Sequence, residues 1–204
     1  MFHQRFPQTS TSFPAFPVTT FPSLPVISVF GLSRAGLMMT ATLASLGYRV
    51  IGVDGDPDKT EALEQGRCDL HKPGLEEMLD HGRIMGRIMV SDDILTAVGR
   101  SEITLVTQGY GLDAFGRRDP YPLMVMGRTL GAAIRLKGAA HTVMLHAPDA
   151  PELCDGILAP ALAQGFGRDA LTGYRLCATP AQLRDEAALG AFRHVLADFL
   201  PTAR

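Results

Sequence analysis

A turn bounded by two glycines, followed further along the chain by an acid, is the pattern in this sequence best suited to chemistry. Gly31 and Gly36 bound the turn G-L-S-R-A-G between an apolar run and a helical pattern, and Asp54 ends the next apolar run. Such glycines let the chain leave a strand tightly and let the following helix pack close to the sheet. The positive N-terminus of that helix favours a phosphate, and the acid suits ribose hydroxyls. The spacing therefore predicts a dinucleotide-binding turn.

The middle of this turn departs from the usual G-x-G-x-x-G pattern. Ser33 stands where a second glycine normally lets the backbone approach the pyrophosphate, and it adds a Cβ atom and a hydroxyl. Arg34 follows, and it could either supply charge to a phosphate or crowd it. Two interpretations stay open: the turn still binds a dinucleotide, or its glycines now serve only a tight turn and helix packing.

The elements that must position this turn alternate between strand and helix from residue 26 onward. This alternation predicts an α/β fold, a doubly wound, mostly parallel Rossmann sheet with helices on both faces, in a single domain spanning 26–204. The predicted strands are 26–30, 49–53, 87–90, 103–107, 141–145 and 174–178, and the predicted helices are 35–46, 58–65, 74–82, 92–98, 121–137, 151–164 and 182–200.

The first 25 residues differ in composition from the rest. Phe-Pro dipeptides recur there among Ser and Thr, and proline disfavours regular structure, so residues 1–25 are predicted to form a disordered leader. The alternative is a tail whose phenylalanines insert into a partner. The last predicted helix is amphipathic, and its apolar side favours a homo-oligomer or a partner contact, unless it packs back onto the sheet.

The amino-acid composition limits the classes of protein to which this chain could belong. A length of 204 residues with 46% hydrophobic and 20% charged residues fits one globular domain. The net charge of -2 gives no electrostatic argument for binding nucleic acid. We expect no membrane span and no secretory signal, hence a cytoplasmic protein. The three cysteines are scattered, without metal-ligand spacing, and fit reduced thiols.

One long run resembles a known family. Residues 31–79 read GLSRAGLMMTATLASLGYRVIGVDGDPDKTEALEQGRCDLHKPGLEEML, which is similar to the opening of the UDP-glucose/GDP-mannose dehydrogenase family, and weaker similarity continues to about residue 200. The P-G-L-E-E element at 73–77 separates this family from other Rossmann enzymes. The resemblance implies the N-terminal, NAD-binding half of a nucleotide-sugar dehydrogenase.

The resemblance also assigns roles to individual residues. It implies that Gly31 and Gly36 form the cofactor turn, that Asp54 holds the adenosine ribose and that Lys59 helps to hold NAD. The family has a Gly-Thr-Pro turn after the next strand, and here Gly109 keeps the glycine while Tyr110 replaces the threonine. Lys59 could instead be a solvated residue in the first turn of a helix.

The family's catalytic positions are altered. Pro148 stands where the family has a threonine that assists the chemistry, and Ala181 stands where it has an essential glutamate. Proline offers neither a hydroxyl nor an amide donor. The family's catalytic cysteine belongs to a C-terminal half that is absent from this sequence, so the resemblance implies no catalysis by this chain alone.

Other side chains offer weak alternatives. His146 is predicted at the carboxyl end of a strand, with Asp149 nearby, and could act as a base or be an ordinary loop histidine. Cys154 and Cys177 are predicted in a helix and a buried strand, and Cys68 nearer the surface. Three hypotheses follow: an NAD-binding domain without turnover, a non-catalytic interaction module in polysaccharide biosynthesis, or an oxidoreductase completed by dimerisation or a partner chain.

Overall fold

The computed structural model describes residues 24–68, 74–167 and 173–178. The predicted leader, apart from its last residues, and the predicted helix 182–200 lie outside the described residues. The strands are β1 (Val26–Phe30), β2 (Arg49–Val53), β3 (Ile88–Ser91), β4 (Ile103–Val106), β5 (Gly111–Leu112), β6 (Arg118–Asp119), β7 (His141–Leu145) and β8 (Tyr174–Ala178). The helices are α1 (Arg34–Ser45), α2 (Pro57–Glu64), α3 (Leu75–Ile84), α4 (Ile94–Arg100), α5 (Tyr121–Lys137), α6 (Ala150–Leu153) and α7 (Ala159–Phe166).

Six of the described strands form one parallel sheet in the order β3-β2-β1-β4-β7-β8. In chain order, the strands begin inside the sheet, at β1, and continue outward through β2 to β3. The chain then returns to form β4 on the other side of β1. This order is the doubly wound arrangement predicted from the alternation of elements, which is confirmed. The reversal of direction between β1 and β4 opens a crevice at the carboxyl edge of the sheet.

Helices cover both faces of the sheet, which explains why its central strands are apolar without alternation. All five residues of β1 are buried, as are all five of β7. Neighbouring residues of β1 point to different cores: Val29 packs with apolar residues of α1 and α3, and Phe30 packs with those of α4, α5 and α7. Both layers therefore support the loop that leaves β1.

A buried polar network crosses β1, β4 and β7 within the sheet. Ser28 and Thr104 hydroxyls lie 2.7 Å apart, and the Thr104 hydroxyl lies 2.8 Å from Nε2 of His141. The Lys137 ammonium lies 3.1 Å from Nδ1 of the same histidine and donates to the carbonyl of Ser101. Burial, followed by the charge of Lys137, lowers the pKa of His141 to about 3. The imidazole is therefore neutral, with Nδ1 accepting from Lys137.

Two features differ from the predicted elements. The helix expected over 151–164 is broken by a wide π-helical turn at Cys154–Leu158, just before Pro160, whose missing amide hydrogen prevents a regular helical bond. The β5–β6 hairpin was not predicted, because its two-residue strands carry no apolar alternation. Among the helices in the described ranges, none is long and apolar enough to cross a membrane.

Candidate dinucleotide-binding site

The predicted site residues gather at the carboxyl edge of the sheet. The glycine turn follows β1, Asp54 follows β2, the segment with Gly109 follows β4, and His146 follows β7. Because parallel strands end at the same edge, these loops surround the crevice between β1 and β4. The loops after β1 and β2 form the first half of this edge, and the loops after β4 and β7 form its second half.

Both glycines of the turn have a mechanical reason to be glycine. Gly31 has a φ of +92°, a conformation that strains other residues, and its amide donates to the carbonyl of Val53 at 2.9 Å. A Cβ atom at Gly36 would lie 1.8 Å from the carbonyl oxygen of Gly31. Helix α1 therefore begins in direct contact with the turn, and neither position tolerates a side chain. Contact of these glycines with a cofactor stays a prediction.

Thr107, the residue after β4, also holds the turn. Its buried hydroxyl lies 2.7 Å from the carbonyl oxygen of Gly31 and 3.1 Å from that of Phe30, to which it can donate. Its amide also donates to the carbonyl of Phe30, at 2.9 Å. Reasoning from sequence missed this role, because only the pairing of β1 with β4 brings Thr107 to the turn.

The N-terminus of α1 is open to a ligand. Ser33 is the N-cap residue, in an extended conformation, and its hydroxyl makes no capping hydrogen bond. The first amides of any α-helix lack an intrahelical acceptor, so those of α1 can donate to a ligand at this edge of the sheet. Ser33 and Arg34 are both exposed, and no hydrogen bond or ion pair joins the Arg34 side chain to another residue that the structure describes. These groups suit an anion.

Asp54 connects the two loops of the first half. Its Oδ2 accepts from the amide of Leu32, in the glycine turn, at 2.7 Å, and its Oδ1 accepts from the amide of Asp56 at 3.0 Å. An ionised carboxylate has about four lone-pair positions, so capacity remains for ribose hydroxyls. The Lys59 ammonium lies 3.6 Å from Asp54 Oδ2 and 3.5 Å from Asp56 Oδ2, and its side chain is 46% exposed. Lys59 is thus a partly exposed charge, paired with two carboxylates, beside the predicted ribose position.

The second half of the edge is built differently. A Cβ atom at Gly109 would lie 3.6 Å from that of Ala147 and 3.7 Å from Leu153 Cδ1, so the loops after β4 and β7 lie near each other. Arg118, on the hairpin, lies over the ring of Tyr110, 5.3 Å from its centre, and its Nη1 is 2.9 Å from Asp149 Oδ2. Sequence reasoning missed Arg118, because the hairpin that carries it was not predicted.

The weak catalytic candidates gain no support from their surroundings. His146 is half-buried, its amide donates to the carbonyl of Val106 at 2.7 Å, and burial lowers its pKa, which favours the neutral imidazole. Asp149, its predicted neighbour, is paired with Arg118. In the described ranges, no group of histidine, cysteine and acidic side chains could hold a metal ion.

The cysteines are poor nucleophiles. Burial and the charge of Asp155 raise the pKa of Cys154, while burial and Cys154 raise the pKa of Cys177 to about 11. Both are therefore thiols at neutral pH, and the thiolate is the nucleophilic form. The expectation that Cys68 lies nearer the surface is wrong: it is 7% exposed and packs in the core beside α1 and α3.

Known proteins are similar to this chain in fold and in sequence. GDP-mannose 6-dehydrogenase of Pseudomonas aeruginosa is 30% identical over 163 residues, which cover 80% of this chain and 37% of that protein. The structure of a ternary complex of GDP-mannose dehydrogenase from the same organism has a TM-score of 0.71 at 30% identity and covers 81% of this chain and 38% of its own. A UDP-glucose dehydrogenase from Pyrobaculum islandicum has a TM-score of 0.69 at 29% identity, covering 87% and 40%.

This chain thus spans less than half of the length of each of these relatives. A sequence model of the UDP-glucose/GDP-mannose dehydrogenase family, NAD binding domain, matches residues 26–194. The resemblance seen in the sequence is confirmed, and with it the Rossmann-like fold. The chain belongs to the UDP-glucose/GDP-mannose dehydrogenase family, and residues 26–194 correspond to the NAD-binding domain of that family.

Proposed function

We propose that this domain binds NAD through its adenosine ribose and pyrophosphate and that the chain does not oxidise a nucleotide sugar by itself. The observation that carries the first part is the assembled first half of the edge. There the amide of Leu32 donates to Asp54 at 2.7 Å, which fixes the glycine turn against the end of β2. The carboxylate and the N-terminus of α1 are therefore held together before any ligand arrives.

The residues present fit the cofactor. Asp54 has lone pairs left for the ribose hydroxyls, and the α1 amides offer donors to the pyrophosphate. Ser33 occupies the place of a glycine, yet its exposed hydroxyl makes no capping bond and can donate to a phosphate oxygen. Arg34 adds positive charge next to it. NAD, when bound, supplies a hydride acceptor, whereas the protein residues of this half only bind and orient.

The second part of the proposal rests on catalytic groups that are missing from this chain. The family resemblance places them at positions where this chain has other residues. Pro148 is exposed and has no hydroxyl with which to assist the reaction. The raised pKa values of Cys154 and Cys177 argue against either thiol as a nucleophile. Oxidation of a nucleotide sugar together with a partner chain, and a place in polysaccharide biosynthesis, stay predictions.

Calorimetric titration with NAD tests the binding. We expect Asp54→Asn to weaken binding by about tenfold or more, since hydrogen bonds to a charged group are worth about 1.5–3 kcal/mol. Glu64→Gln removes the same charge from an exposed position of α2 and should leave the affinity unchanged. Absence of NAD binding at saturating concentration would refute the proposal.

The lack of turnover needs its own assay. The isolated chain, supplied with NAD and either UDP-glucose or GDP-mannose, should produce no NADH that absorbance can detect. Steady NADH formation that depends on the sugar substrate would contradict the second part of the proposal while leaving the first intact.

A further inference from the structure

A dinucleotide that lies across a doubly wound sheet uses both halves of the carboxyl edge. Each half of the fold receives one mononucleotide, and the pyrophosphate lies between them, at the N-terminus of the first helix. In this chain Asp54 assigns the adenosine side to the loops after β1 and β2. The second mononucleotide must then extend over the ends of β4 and β7, where Tyr110 and Asp149 lie.

Three side chains meet over that second half. Arg118 comes from β6, Tyr110 from the loop after β4 and Asp149 from the loop after β7. The guanidinium lies 5.3 Å from the centre of the Tyr110 ring and its Nη1 lies 2.9 Å from Asp149 Oδ2. We call this group the Arg118 clamp, since one side chain joins both loops of the second half.

The hairpin presents Arg118 from a fixed position. Asp113 accepts from the amides of Phe115 and Arg117 at 2.8 and 2.9 Å, and its own amide donates to the carbonyl of Arg117 at 2.8 Å. Gly111 packs so closely on α5 that a Cβ atom there would lie 2.9 Å from Pro122 Cγ. The hairpin is therefore tied both to itself and to the helix behind it.

The two loops also approach each other beneath the clamp. A Cβ atom added at Gly109 would make ordinary van der Waals contact with Ala147 and Leu153, and both of these are buried, at 4% and 1% exposure. The space between the two loops at this point is therefore narrow. A nicotinamide riboside that entered here would have to displace Arg118 from its two partners.

We infer that this site recognises the ADP-ribose part of its ligand and that the Arg118 clamp closes the place of the nicotinamide riboside. The inference rests on the proposed function, because it assumes that adenine dinucleotides bind at the first half of the edge. The preferred ligand class is then an adenosine diphosphate linked to a sugar, with or without a second nucleoside.

Calorimetric titrations with NAD, ADP-ribose and nicotinamide mononucleotide test this inference. We expect NAD and ADP-ribose to bind with dissociation constants within about threefold of each other, because the nicotinamide riboside makes no net favourable contact. Nicotinamide mononucleotide should show no binding. NAD binding about tenfold or more tighter than ADP-ribose would overturn the inference and leave the proposed function standing. No binding of any of the three would overturn both.

Variants of the Arg118 clamp test whether it sets the ratio of the affinities for NAD and ADP-ribose. Arg118→Ala should raise the preference for NAD over ADP-ribose by about threefold or more, because it opens the second half. Asp149→Asn, which breaks the ion pair while keeping the shape, should act in the same direction. Arg83→Ala is the matched control: it removes another arginine that pairs with an aspartate, Asp80 on α3, and should leave the ratio unchanged. An unchanged ratio in both Arg118→Ala and Asp149→Asn would overturn the role of the clamp.

Discussion

The two halves of the carboxyl edge differ in what holds their loops together. In the first half, backbone groups make the decisive contacts: the amide of Leu32 with Asp54, the amide of Gly31 with Val53, and a helix N-terminus. In the second half, the side chains of Arg118, Tyr110 and Asp149 make them. A contact with a backbone group depends on one side chain at most, whereas each contact between side chains depends on two residues. The first half can therefore keep a ligand-binding geometry while the second acquires a different one.

The most severe way to break the first half is to add a side chain at Gly36. Gly36→Ala places a Cβ atom 1.8 Å from the Gly31 carbonyl oxygen, where rigid backbone must move, so we expect a loss of about 3 kcal/mol or more in unfolding free energy. Urea denaturation measures it. Gly99→Ala is the matched control, since a Cβ atom there meets nothing within 4 Å in helix α4, and it should be neutral or stabilising. Equal effects of the two changes would contradict the geometry described for the turn.

Acid should destabilise the strands that carry the second half. The folded pKa of His141 is about 3, below its ordinary value of 6.5, so the unfolded chain binds more protons between these values. The stabilising effect is complete above about pH 6.5 and is lost as the pH falls towards 3, because burial disfavours the charged imidazolium and a second ring proton would also face the Lys137 ammonium.

Denaturation at a series of pH values checks this expectation. The loss by pH 4 should reach about 3 kcal/mol, and His141→Asn should flatten that part of the profile. His81→Asn, at an exposed position of α3, is the control and should leave the profile unchanged. A His141→Asn profile as steep as that of the parent chain would count against this explanation.

A smaller loss of stability is expected when the glycine turn loses its hydrogen bond to the Thr107 hydroxyl. Thr107→Val removes the hydroxyl that lies 2.7 Å from the Gly31 carbonyl while keeping the shape, and we expect a loss of about 1–2 kcal/mol in unfolding free energy. NAD and ADP-ribose should weaken together, because both use the first half. Thr129→Val removes an exposed hydroxyl on α5 and should change stability by less than about 0.5 kcal/mol. Weakening of NAD alone would show that Thr107 serves the second half instead.

The regular elements could be predicted because their signals are local. Short runs rich in apolar residues gave β1, β2, β7 and β8 their observed bounds, and helical spacing gave those of α5. The helix over 151–164 was wrong in its middle, since the π-helical turn depends on how the segment packs as well as on Pro160. The short hairpin carries no periodic signal at all.

The sequence by itself determined the sheet type, the glycine turn and the family. A turn that needs glycine, and an acid at the end of the next strand, depend on residues whose conformational limits act over short distances. Only the tertiary structure decided that Thr107 holds the turn and that Arg118 joins Tyr110 to Asp149, for these contacts need strands and loops far apart in sequence to meet. Strand pairing and the docking of the hairpin on α5 create them, and no local pattern records either.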